Sequence, residues 1–385
     1  MLDKKRQTIE DTFFRYMSQE GALLKPSLSL IPPQTDDSLY FTNATIVNFK
    51  EDFLKGTPEH LATKQKCLRL HNVSRILDDD FKVEWLSLFN MVGTIIPPNQ
   101  LKQSKSNIIE LFTDKYGIEK TNLVFLVNSR DVNLYKDIPQ GMLIFDSHPQ
   151  KYYDWTFGVK DVYGAGLTFG FKQKDGSIID VGNLIEIKKG DEILGYECAY
   201  GLECFNWAKE GTESILDSYP VFDNIDKSDG NMVKFVDAAM AVSAVESVCI
   251  EPNNKTPRGQ ILKKLYKNLF YLSENANLHE TDVRSIFDQI SKTEFDDTLD
   301  VGLIMDHYLE SKTFINCQRN AFLTRKKSLV EAFSRGEITK DFLVKKMESW
   351  AEGKYYISKH ERDKYFSLDD YDKDKLLLFS RQNTR

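Results

Sequence analysis

The chain has 385 residues, 41% of them hydrophobic and 12% aromatic, so it is long enough for more than one domain with a sizeable core. Its formal net charge of -7 argues against a protein that holds nucleic acid by its overall charge, while a local basic patch stays compatible with it. The five cysteines are irregularly spaced without a CxxC pair, and the six histidines form no cluster, which favours free thiols and no protein-bound metal. Because no apolar run suits a signal peptide or a membrane helix, we expect a soluble, cytoplasmic protein.

The chain opens with a helical pattern. Residues 3–20 are predicted to form an amphipathic helix, because Ile9, Phe13 and Met17 recur on one stripe. Prolines end this helical region. The stretch 38–49 that follows is rich in β-branched and aromatic residues and is predicted to be β-structure.

Three further stretches are β-rich, at 83–96, 122–127 and 163–200, and a helix is predicted at 105–117. The third stretch carries regularly placed glycines between β-branched and aromatic residues. Such spacing indicates antiparallel strands joined by tight turns. The short sequence 164–166, Gly-Ala-Gly, is too weak a match for a phosphate loop and is predicted to be one of those turns.

The carboxy-terminal part of the chain changes to helical patterns, beginning with a nearly all-apolar segment that is predicted to be buried. The predicted helices cover residues 235–248, 259–272, 280–292 and 318–351. Turn-forming residues near 222–230 mark the boundary. The predicted organisation is an α+β domain at 1–227, an all-helical domain at 228–358 and a charged tail at 359–385.

Three strings in the first hundred residues carry a family pattern. Residues 27–56 read SLSLIPPQTDDSLYFTNATIVNFKEDFLKG, residues 63–70 read TKQKCLRL, and residues 89–95 read FNMVGTI. They resemble the LFTNAGM, TSQKCVRA and FEMLGNF strings of alanyl-tRNA synthetases, which are class II aminoacyl-tRNA synthetases. These strings belong to that family's motif 1 and motif 2.

Later strings continue the same resemblance in the same order. DWTFG at 154–158 falls where the family has NFWxMG, GNLIEI at 182–187 is similar to WNLVFM, and AYGLEC at 199–204 is similar to the motif 3 string GMGLER. The segment 235–269 resembles the start of the family's tRNA-recognition helices, and weaker similarity follows at 321–338. Their collinearity makes the combined signal specific.

The resemblance implies a class II synthetase-like antiparallel sheet flanked by helices, followed by a helical domain that grips the tRNA acceptor stem. It also implies ATP and Mg²⁺, a small amino acid as substrate, and tRNA or an alternative small-molecule or carrier acceptor. A protein partner is also compatible with the sequence. Two anions must meet when a carboxylate attacks the α-phosphate of ATP, so this chemistry needs fixed positive charge at the site.

The resemblance assigns ATP-binding positions to four residues. Arg69 matches the motif 2 arginine that contacts the α-phosphate, for which a planar guanidinium is well suited, and it is the candidate catalytic residue. Phe89 matches the aromatic residue on which adenine stacks, and Gly201 and Cys204 lie in the motif 3 string. Without the resemblance, Arg69 is also explained as a surface arginine and Phe89 as a core aromatic residue.

Three further residues match the family's amino-acid pocket. Glu197 aligns with the aspartate that holds the α-amino group, Trp155 with the tryptophan that lines the pocket, and Asn183 with a polar residue at its rim. A glutamate in a β-hairpin is more often solvent-facing, which is the alternative explanation of Glu197. Its extra methylene group reaches ~1.5 Å further than aspartate, so the bound amino acid or its pose is expected to differ.

Several positions depart from the family pattern. Cys204 replaces the motif 3 arginine that clamps ATP, and a small neutral thiol does not supply that charge. The loop at 70–80 lacks the family's glycines and lysine and contains three consecutive aspartates, with Arg75 or Lys82 as possible substitutes. Asn90 replaces a glutamate. Since loss of a desolvated charge contact costs ~2–5 kcal/mol, normal ATP turnover is not expected.

A basic segment in the helical part is the candidate RNA-binding element. Within 255–268 there are five cations and no acid, namely Lys255, Arg258, Lys263, Lys264 and Lys267. Helical spacing places Lys263 and Lys267 on one face, where they would address phosphates. A solvated charged face is the usual explanation of a basic helix, but a cluster of cations on an acidic chain favours RNA.

The sequence therefore supports a diverged synthetase paralogue with competing functions. One is a ligase that activates alanine or a related small amino acid with ATP, as Arg69, Phe89, Trp155 and Glu197 suggest. The rival is a catalytically inactive module that binds tRNA, an amino acid or a protein, as Cys204 and the altered loop suggest. Reuse of the fold with a protein partner that completes the site is the third possibility.

Overall fold

The computed structural model describes residues 4–33, 38–56 and 59–353, together with residues 355, 357, 365 and 366. In this part of the chain nine strands form one sheet, numbered in chain order as β1 Leu23–Leu24, β2 Leu61–Leu68, β3 Leu88–Ile96, β4 Leu123–Val127, β5 Leu143–Phe145, β6 Asp154–Thr156, β7 Val162–Lys172, β8 Ile178–Lys189 and β9 Glu192–Gly201. Their spatial order is β1-β2-β3-β9-β8-β7-β4-β5, and β6 pairs with β7. The β1–β2 and β4–β5 pairs are parallel and all other pairs are antiparallel.

The described α-helices flank the sheet and continue after it along the chain. They are α1 Lys4–Gln19, α2 Ile46–Leu54, α3 Leu101–Glu110, α4 Val132–Tyr135, α5 Leu202–Glu210, α6 Gly230–Glu246, α7 Pro257–Asn275, α8 Glu280–Glu294, α9 Val301–Ser334 and α10 Lys340–Gly353. The predicted α+β class, with a sheet flanked by helices and a helical region after it, is confirmed. The two parallel pairs make the sheet mixed, which the prediction of an antiparallel sheet did not include.

The three long strands β7, β8 and β9 follow the predicted pattern of antiparallel strands and tight turns. Gly190 turns the chain from β8 into β9 with a φ of 59°, a left-handed conformation that favours glycine. The prediction of a turn at 164–166 is wrong, because these residues lie inside β7. Here glycine permits close approach, since a Cβ at Gly166 would lie 2.7 Å from the Leu184 carbonyl oxygen and 2.8 Å from Trp155 Cζ3.

The two faces of the sheet bury different sets of side chains. One face packs against α1, α3 and α5, with Phe13, Phe112 and Phe205 in a large aromatic cluster. In that cluster the Tyr116 and Tyr200 hydroxyls lie 2.7 Å apart. The other face packs against α2, and it is the face on which the candidate site lies.

The prediction of β-structure at 38–49 is wrong, because no residue of this stretch lies in a strand and 46–49 belong to α2. Phe49 and Phe53 are both fully buried, four residues apart on one helix face, and they pack against Ile95 and Ile185 of the sheet. Burial of these side chains stabilises the helix, and such tertiary packing outweighs the β-propensity of the local sequence.

The single long helix predicted at 318–351 is also wrong. The structure has two helices there: α9 begins earlier, at Val301, and ends at Ser334. Gly336 has a φ of 75°, which ends the helical path before α10 begins at Lys340.

The chain divides into two compact units, one comprising residues 1–265 and 272–301 and the other residues 266–271 and 302–385. The predicted boundary between residues 227 and 228 falls inside the first unit and stays a prediction. Most of the predicted tail at 359–385 lies outside the described residues. Within the second unit, Tyr365 is buried and packs against the Phe322 ring.

Candidate functional site

A cavity of about 380 Å³ opens on one face of the sheet. Its walls come from β3, β8, β9, the beginning of α5 and the loop between β2 and β3. Predicted site residues line it from separate parts of the chain, namely Arg69, Phe89, Asn183, Gly201 and Cys204. The fold therefore brings together all four predicted ATP-binding positions and one predicted amino-acid-binding position.

Backbone pairing explains this convergence. Strand β9 lies between β3 and β8, so that Met91 is opposite Gly201 and Asn183 is opposite Ala199. Directly opposed residues share one face of a sheet. Asn183 also accepts a hydrogen bond through Oδ1 from the Thr168 hydroxyl of β7, at 2.9 Å, which fixes its amide at the cavity wall.

Arg69 directly follows β2 and lies over the Phe89 ring, with Cζ 4.8 Å from the ring centroid. Its Nε donates a hydrogen bond to the Asn43 carbonyl oxygen at 3.0 Å. Desolvation lowers the pKa of this guanidinium, while nearby Cys67 and Glu197 oppose that shift. Arg69 remains solvent-accessible, so the pair presents a cation and an aromatic face to the cavity.

Glu197 lies in the middle of β9, buried to 3% exposure. The Thr45 hydroxyl donates a hydrogen bond to its Oε1 at 2.7 Å. Burial raises the pKa of Glu197 to about 7, against the opposing effects of the Thr45 hydrogen bond and the Arg69 charge. The solvent-facing position, which was the alternative explanation of Glu197, is not found. A carboxyl pKa raised in this way occurs at functional positions and also in buried structural networks.

Trp155 lies on β6 and does not line the cavity. Its ring covers Gly166 of β7. Gly166 is paired with Ile185 of β8, and Ile185 is paired in turn with Glu197 of β9. Trp155 is half-buried against the apolar cluster under α2. Trp155 and Glu197 thus lie on the same sheet face, in adjacent rows of paired residues. These rows are beside the cavity that the other predicted ATP- and amino-acid-binding residues line.

Three residues that line the cavity or lie next to it were not predicted from the sequence. The Tyr152 hydroxyl donates to Asp180 Oδ2, and both residues line the cavity. Thr45 holds Glu197 from the turn before α2. Tyr152 lies 28 residues before Asp180 in the sequence, and no local pattern signals their contact. Asp180 does lie two residues before the family-like string that begins at 182, and residues two apart in a strand share one face of the sheet.

Sequence comparisons connect the chain with tRNA synthetases. The family described as tRNA synthetases class II (A) matches residues 8–148. An alanine–tRNA ligase from Buchnera aphidicola is 25% identical over 312 residues, covering 76% of this chain and 33% of that protein. An alanine–tRNA ligase from Rhizobium johnstonii is 32% identical over 128 residues, covering 32% of this chain and 14% of that protein. A mitochondrial alanine–tRNA ligase from Dictyostelium discoideum is also 32% identical, over 130 residues.

The chain therefore carries a class II tRNA synthetase domain at residues 8–148 and resembles alanine–tRNA ligases over most of its length. It spans about a third of the length of the Buchnera relative and a smaller share of the others.

The synthetase-family motif 3 string ends at Cys204, in the first turn of α5. The thiol is nearly buried and donates a hydrogen bond to the Asp180 carbonyl oxygen at 2.9 Å. Burial raises the pKa of this thiol well above its usual range, so the side chain is neutral. An arginine at the same position would bring a positive charge to this wall of the cavity, which Cys204 does not.

Asn90, the second departure from the family strings, has a partner in motif 3. Its Nδ2 donates to Glu203 Oε1 at 2.8 Å, and its backbone N–H donates to Glu203 Oε2 at 3.0 Å. Arg6 of α1 also donates to Glu203, at 3.0 Å, and binds both oxygens of Glu294. Glu203 is therefore fully engaged at the base of the cavity.

The altered motif 2 loop pairs its own charges. Arg75, a candidate replacement for the family lysine, forms ion pairs with Asp78 at 3.3 Å and with Asp80 at 3.4 Å. Lys82, the other candidate, is exposed in the same loop. Carboxylates beside a triphosphate are unfavourable, and Arg75 is held by two of them.

The cavity offers a nucleotide one aromatic ring and one cation, at positions that the family strings assign to ATP. Phe89 offers a ring for stacking, and Arg69 offers one guanidinium. Nucleotide-bound Mg²⁺ is usually held by one or two carboxylates. The cavity-lining acids Asp180 and Glu203 already have hydrogen-bond partners. Among the described residues, no group of three or more His, Cys, Asp or Glu side chains is arranged to hold a metal ion.

The predicted RNA-binding cations lie at the start of α7 and in the turn before it. Lys255 and Lys264 are exposed. Arg258 Nε donates to the Tyr40 carbonyl oxygen at 2.8 Å, and Lys263 Nζ donates to Asn254 Oδ1 at 3.0 Å. These cations combine local contacts with access to solvent, so their RNA role stays a prediction.

Lys267 is the last predicted RNA-binding residue and belongs to the second compact unit. Its ammonium group lies 5.9 Å from the Phe314 ring centroid in that unit. Across the described part of the chain, no helix combines the length and the apolar character needed to cross a membrane.

Proposed function

We propose that the protein is a diverged alanyl-tRNA synthetase paralogue that binds alanine or a related small amino acid together with an adenosine group. In this proposal the amino acid is activated as its adenylate and transferred to tRNA or another acceptor. ATP would supply the adenylyl group with release of pyrophosphate, and transfer of the amino acid to the acceptor would release AMP. The observation that carries the proposal is the buried carboxyl group of Glu197 beside the cavity that Arg69 and Phe89 line.

The charges on this sheet face support the binding of a zwitterionic amino acid. A carboxylate at Glu197 would attract the ammonium group, and Arg69 would attract the carboxylate or the phosphate that it attacks. Arg69 and Glu197 each influence the pKa of the other, and in this proposal both act on one ligand. The Trp155 ring lies beside the row of paired residues that contains Glu197. It limits the space for the side chain of a bound amino acid, which favours a small one.

The basic turn and first half of α7 support tRNA as the acceptor. Lys255, Arg258, Lys263 and Lys264 gather there on a chain with a net charge of -7. Phosphate contacts of this kind position a nucleic acid without reading its sequence. Transfer to a small molecule or a carrier protein is the alternative outcome of the same activation step.

Amino-acid-dependent ATP–pyrophosphate exchange, measured with each of the twenty amino acids, tests activation directly. We expect exchange above background with alanine or another small amino acid, and loss of that exchange in Glu197→Gln. Glu186→Gln is the matched control, because Glu186 is a buried glutamate on the neighbouring strand that binds Tyr196 and projects to the other sheet face. Absence of exchange with every amino acid would contradict the proposed activation.

A second candidate function is a binding module without adenylation. It is favoured by the neutral thiol of Cys204 and by the ion pairs of Arg75 with Asp78 and Asp80. In this case calorimetry would detect amino-acid or RNA binding, while pyrophosphate exchange would stay at background. The two functions are therefore separated by one pair of measurements on the same protein.

A further inference from the structure

The loop that joins β2 to β3 forms one wall of the cavity. We define the wall loop as residues 70–87; four of its residues line the cavity, namely His71, Asn72, Trp85 and Leu86. Trp85 is 48% exposed, and its ring meets the Trp207 ring at a centroid distance of 5.9 Å. Because this wall is partly open to solvent, contacts elsewhere in the protein must hold the loop in its conformation.

Helix α6 supplies such contacts through Asp237. Its Oδ1 accepts the backbone N–H of Ser87 at 2.5 Å, and its Oδ2 accepts the Ser87 hydroxyl at 3.0 Å and Asn72 Nδ2 at 2.8 Å. The amide of Asn72 also donates to the Trp85 carbonyl oxygen at 2.8 Å. One carboxyl group thus joins the two ends of the wall loop at its base.

A second contact comes from Lys234, three residues earlier on α6. Its ammonium group donates to the Asp78 carbonyl oxygen at 2.7 Å, in the acidic part of the wall loop. Burial lowers the pKa of Lys234, and the nearby carboxylates of Asp79, Asp78 and Asp80 oppose that shift. The same face of α6 therefore holds the wall loop at its base and at its acidic part.

Burial of Asp237 makes the loss of its hydrogen bonds to the wall loop costly. Asp237 is 0% exposed, so its carboxyl oxygens have no water to replace the loop donors. A buried polar group that loses its partners costs the full desolvation penalty, so displaced loop conformations are disfavoured while this carboxyl group stays inside. Burial raises the pKa of Asp237 to about 6, and its three hydrogen bonds act against that shift.

We propose that Asp237 and Lys234 are positioning residues that hold the wall loop, and with it Asn72 and Trp85, in the arrangement that a cavity ligand contacts. Neither residue lines the cavity itself. Their effect on a ligand is therefore indirect and acts through the loop. This inference concerns the loop with or without a ligand, and only the ligand measurement below rests on the proposed function.

Hydrogen exchange measured by mass spectrometry on the ligand-free protein tests the anchoring. In Asp237→Ala we expect exchange of peptides within 70–87 to be at least about tenfold faster, while peptides of β7 and β8 exchange as in the wild type. Asp229→Ala is the matched control, since Asp229 caps the N-terminus of the same helix without touching the loop. Uniformly faster exchange in both variants, or an unchanged wall loop in Asp237→Ala, would overturn the inference.

Lys234 provides a variant that leaves the buried carboxyl group intact and so answers the question if Asp237→Ala does not fold. Lys234→Met keeps the apolar stem and removes the donor, and we expect faster exchange centred on 76–82. Lys234→Arg keeps a cationic donor and should restore slow exchange. Equal exchange in the Met and Arg variants would exclude a role for the ammonium contact.

Ligand binding distinguishes a positioning role from a merely structural one. We expect the affinity for adenosine 5′-monophosphate, measured by calorimetry, to fall in Lys234→Met and to recover in Lys234→Arg, with the melting temperature of both variants near that of the wild type. Unchanged affinity in Lys234→Met, with a mobile loop, would refute the positioning role. If neither the wild type nor any variant binds the monophosphate, the proposed nucleotide site is contradicted, while the hydrogen-exchange result for the loop is unaffected.

Discussion

The Thr45 hydroxyl donates a hydrogen bond to the buried carboxyl group of Glu197 at 2.7 Å, so the turn before α2 is joined directly to the centre of β9. Thr45 and Glu197 are both almost inaccessible to solvent. The hydroxyl also stands close above Gly93, where a Cβ would lie 2.6 Å from Thr45 Oγ1. A carboxyl group held in this way, with its pKa raised to about 7, changes charge in the neutral range.

Amino-acid binding is expected to depend on the charge of Glu197. The carboxylate attracts an ammonium group and the protonated acid does not, so affinity should fall by up to about tenfold per pH unit below pH 7 and level off above it. Calorimetric titration of alanine at several pH values measures this curve. Glu197→Gln should remove both the binding and its pH dependence. A wild-type affinity that is flat between pH 6 and 8 would contradict the assignment.

The same raised pKa predicts the sign of a stability effect. Because the folded-state pKa of Glu197 lies above the usual glutamate value of 4.5, its contribution to stability is present below pH 4.5 and is lost as the pH rises through about 7. Glu197→Gln should therefore melt at the same temperature as the wild type or higher at pH 8. A large fall in the melting temperature at that pH would assign Glu197 to an essential structural network.

Replacement of Cys204 by arginine is expected to strengthen ATP binding. A charge-assisted contact is worth about 1.5–3 kcal/mol, or roughly ten- to a hundredfold in affinity. Calorimetry with ATP and Mg²⁺ measures the change, and Cys204→Gln is the control for side-chain size without charge. No gain in Cys204→Arg relative to Cys204→Gln would show that the acidic loop also prevents binding.

Arg6 is expected to stabilise the fold through two buried carboxyl groups. Burial alone would lower the pKa of its guanidinium, but Glu294 and Glu203 raise it overall. Arg6→Met leaves those acids without their cation, which should cost about 3–5 kcal/mol of unfolding free energy in a denaturant titration. Lys5→Met is the matched control, since the adjacent Lys5 forms an exposed ion pair with Glu210 and should lose about 0–1 kcal/mol. Equal losses in the two variants would refute this role of Arg6.

RNA binding by α7 is expected to show itself in salt dependence. With a labelled acceptor minihelix, Lys263→Ala combined with Lys267→Ala should weaken binding and flatten the log–log salt slope by roughly one to two contacts, at about 0.7 to 0.9 per contact. Lys172→Ala combined with Lys174→Ala removes the same charge near the end of β7 and should leave the slope unchanged. Identical slopes in the two double variants would exclude the α7 lysines as phosphate contacts. No binding at low salt by the wild type would remove RNA as the acceptor.

Local patterns in the sequence predicted the parts of the fold that depend on local chemistry. The β7–β9 strands followed from alternation and turn glycines, and the buried helix α6 followed from its apolar composition. Helix α2 was missed, because its helical state depends on Phe49 and Phe53 packing against a sheet that the local sequence does not show. Propensity is a weak guide where tertiary burial decides.

The candidate site was predictable as far as family strings cover it. Arg69, Phe89 and Cys204 lie in such strings, and the structure brings them to one cavity. The contacts of Tyr152 with Asp180 and of Asp237 with Ser87 join segments with no local sequence signal. Such contacts are set by the packing of whole elements, which a single sequence does not reveal.

The aromatic cluster behind β9 has a consequence for how the cavity can adapt. Tyr116 donates to the Ile9 carbonyl oxygen at 2.9 Å and so accepts from Tyr200, whose ring also packs against Phe13, Phe112 and Phe205. Tyr200 lies between Ala199 and Gly201, two residues of the cavity floor. The floor is therefore tightly packed from behind, and a substitution there would disturb this cluster, whereas a substitution among the exposed residues of the wall loop would not. Evolution of a new substrate preference on this scaffold would consequently proceed through the loop far more readily than through the sheet.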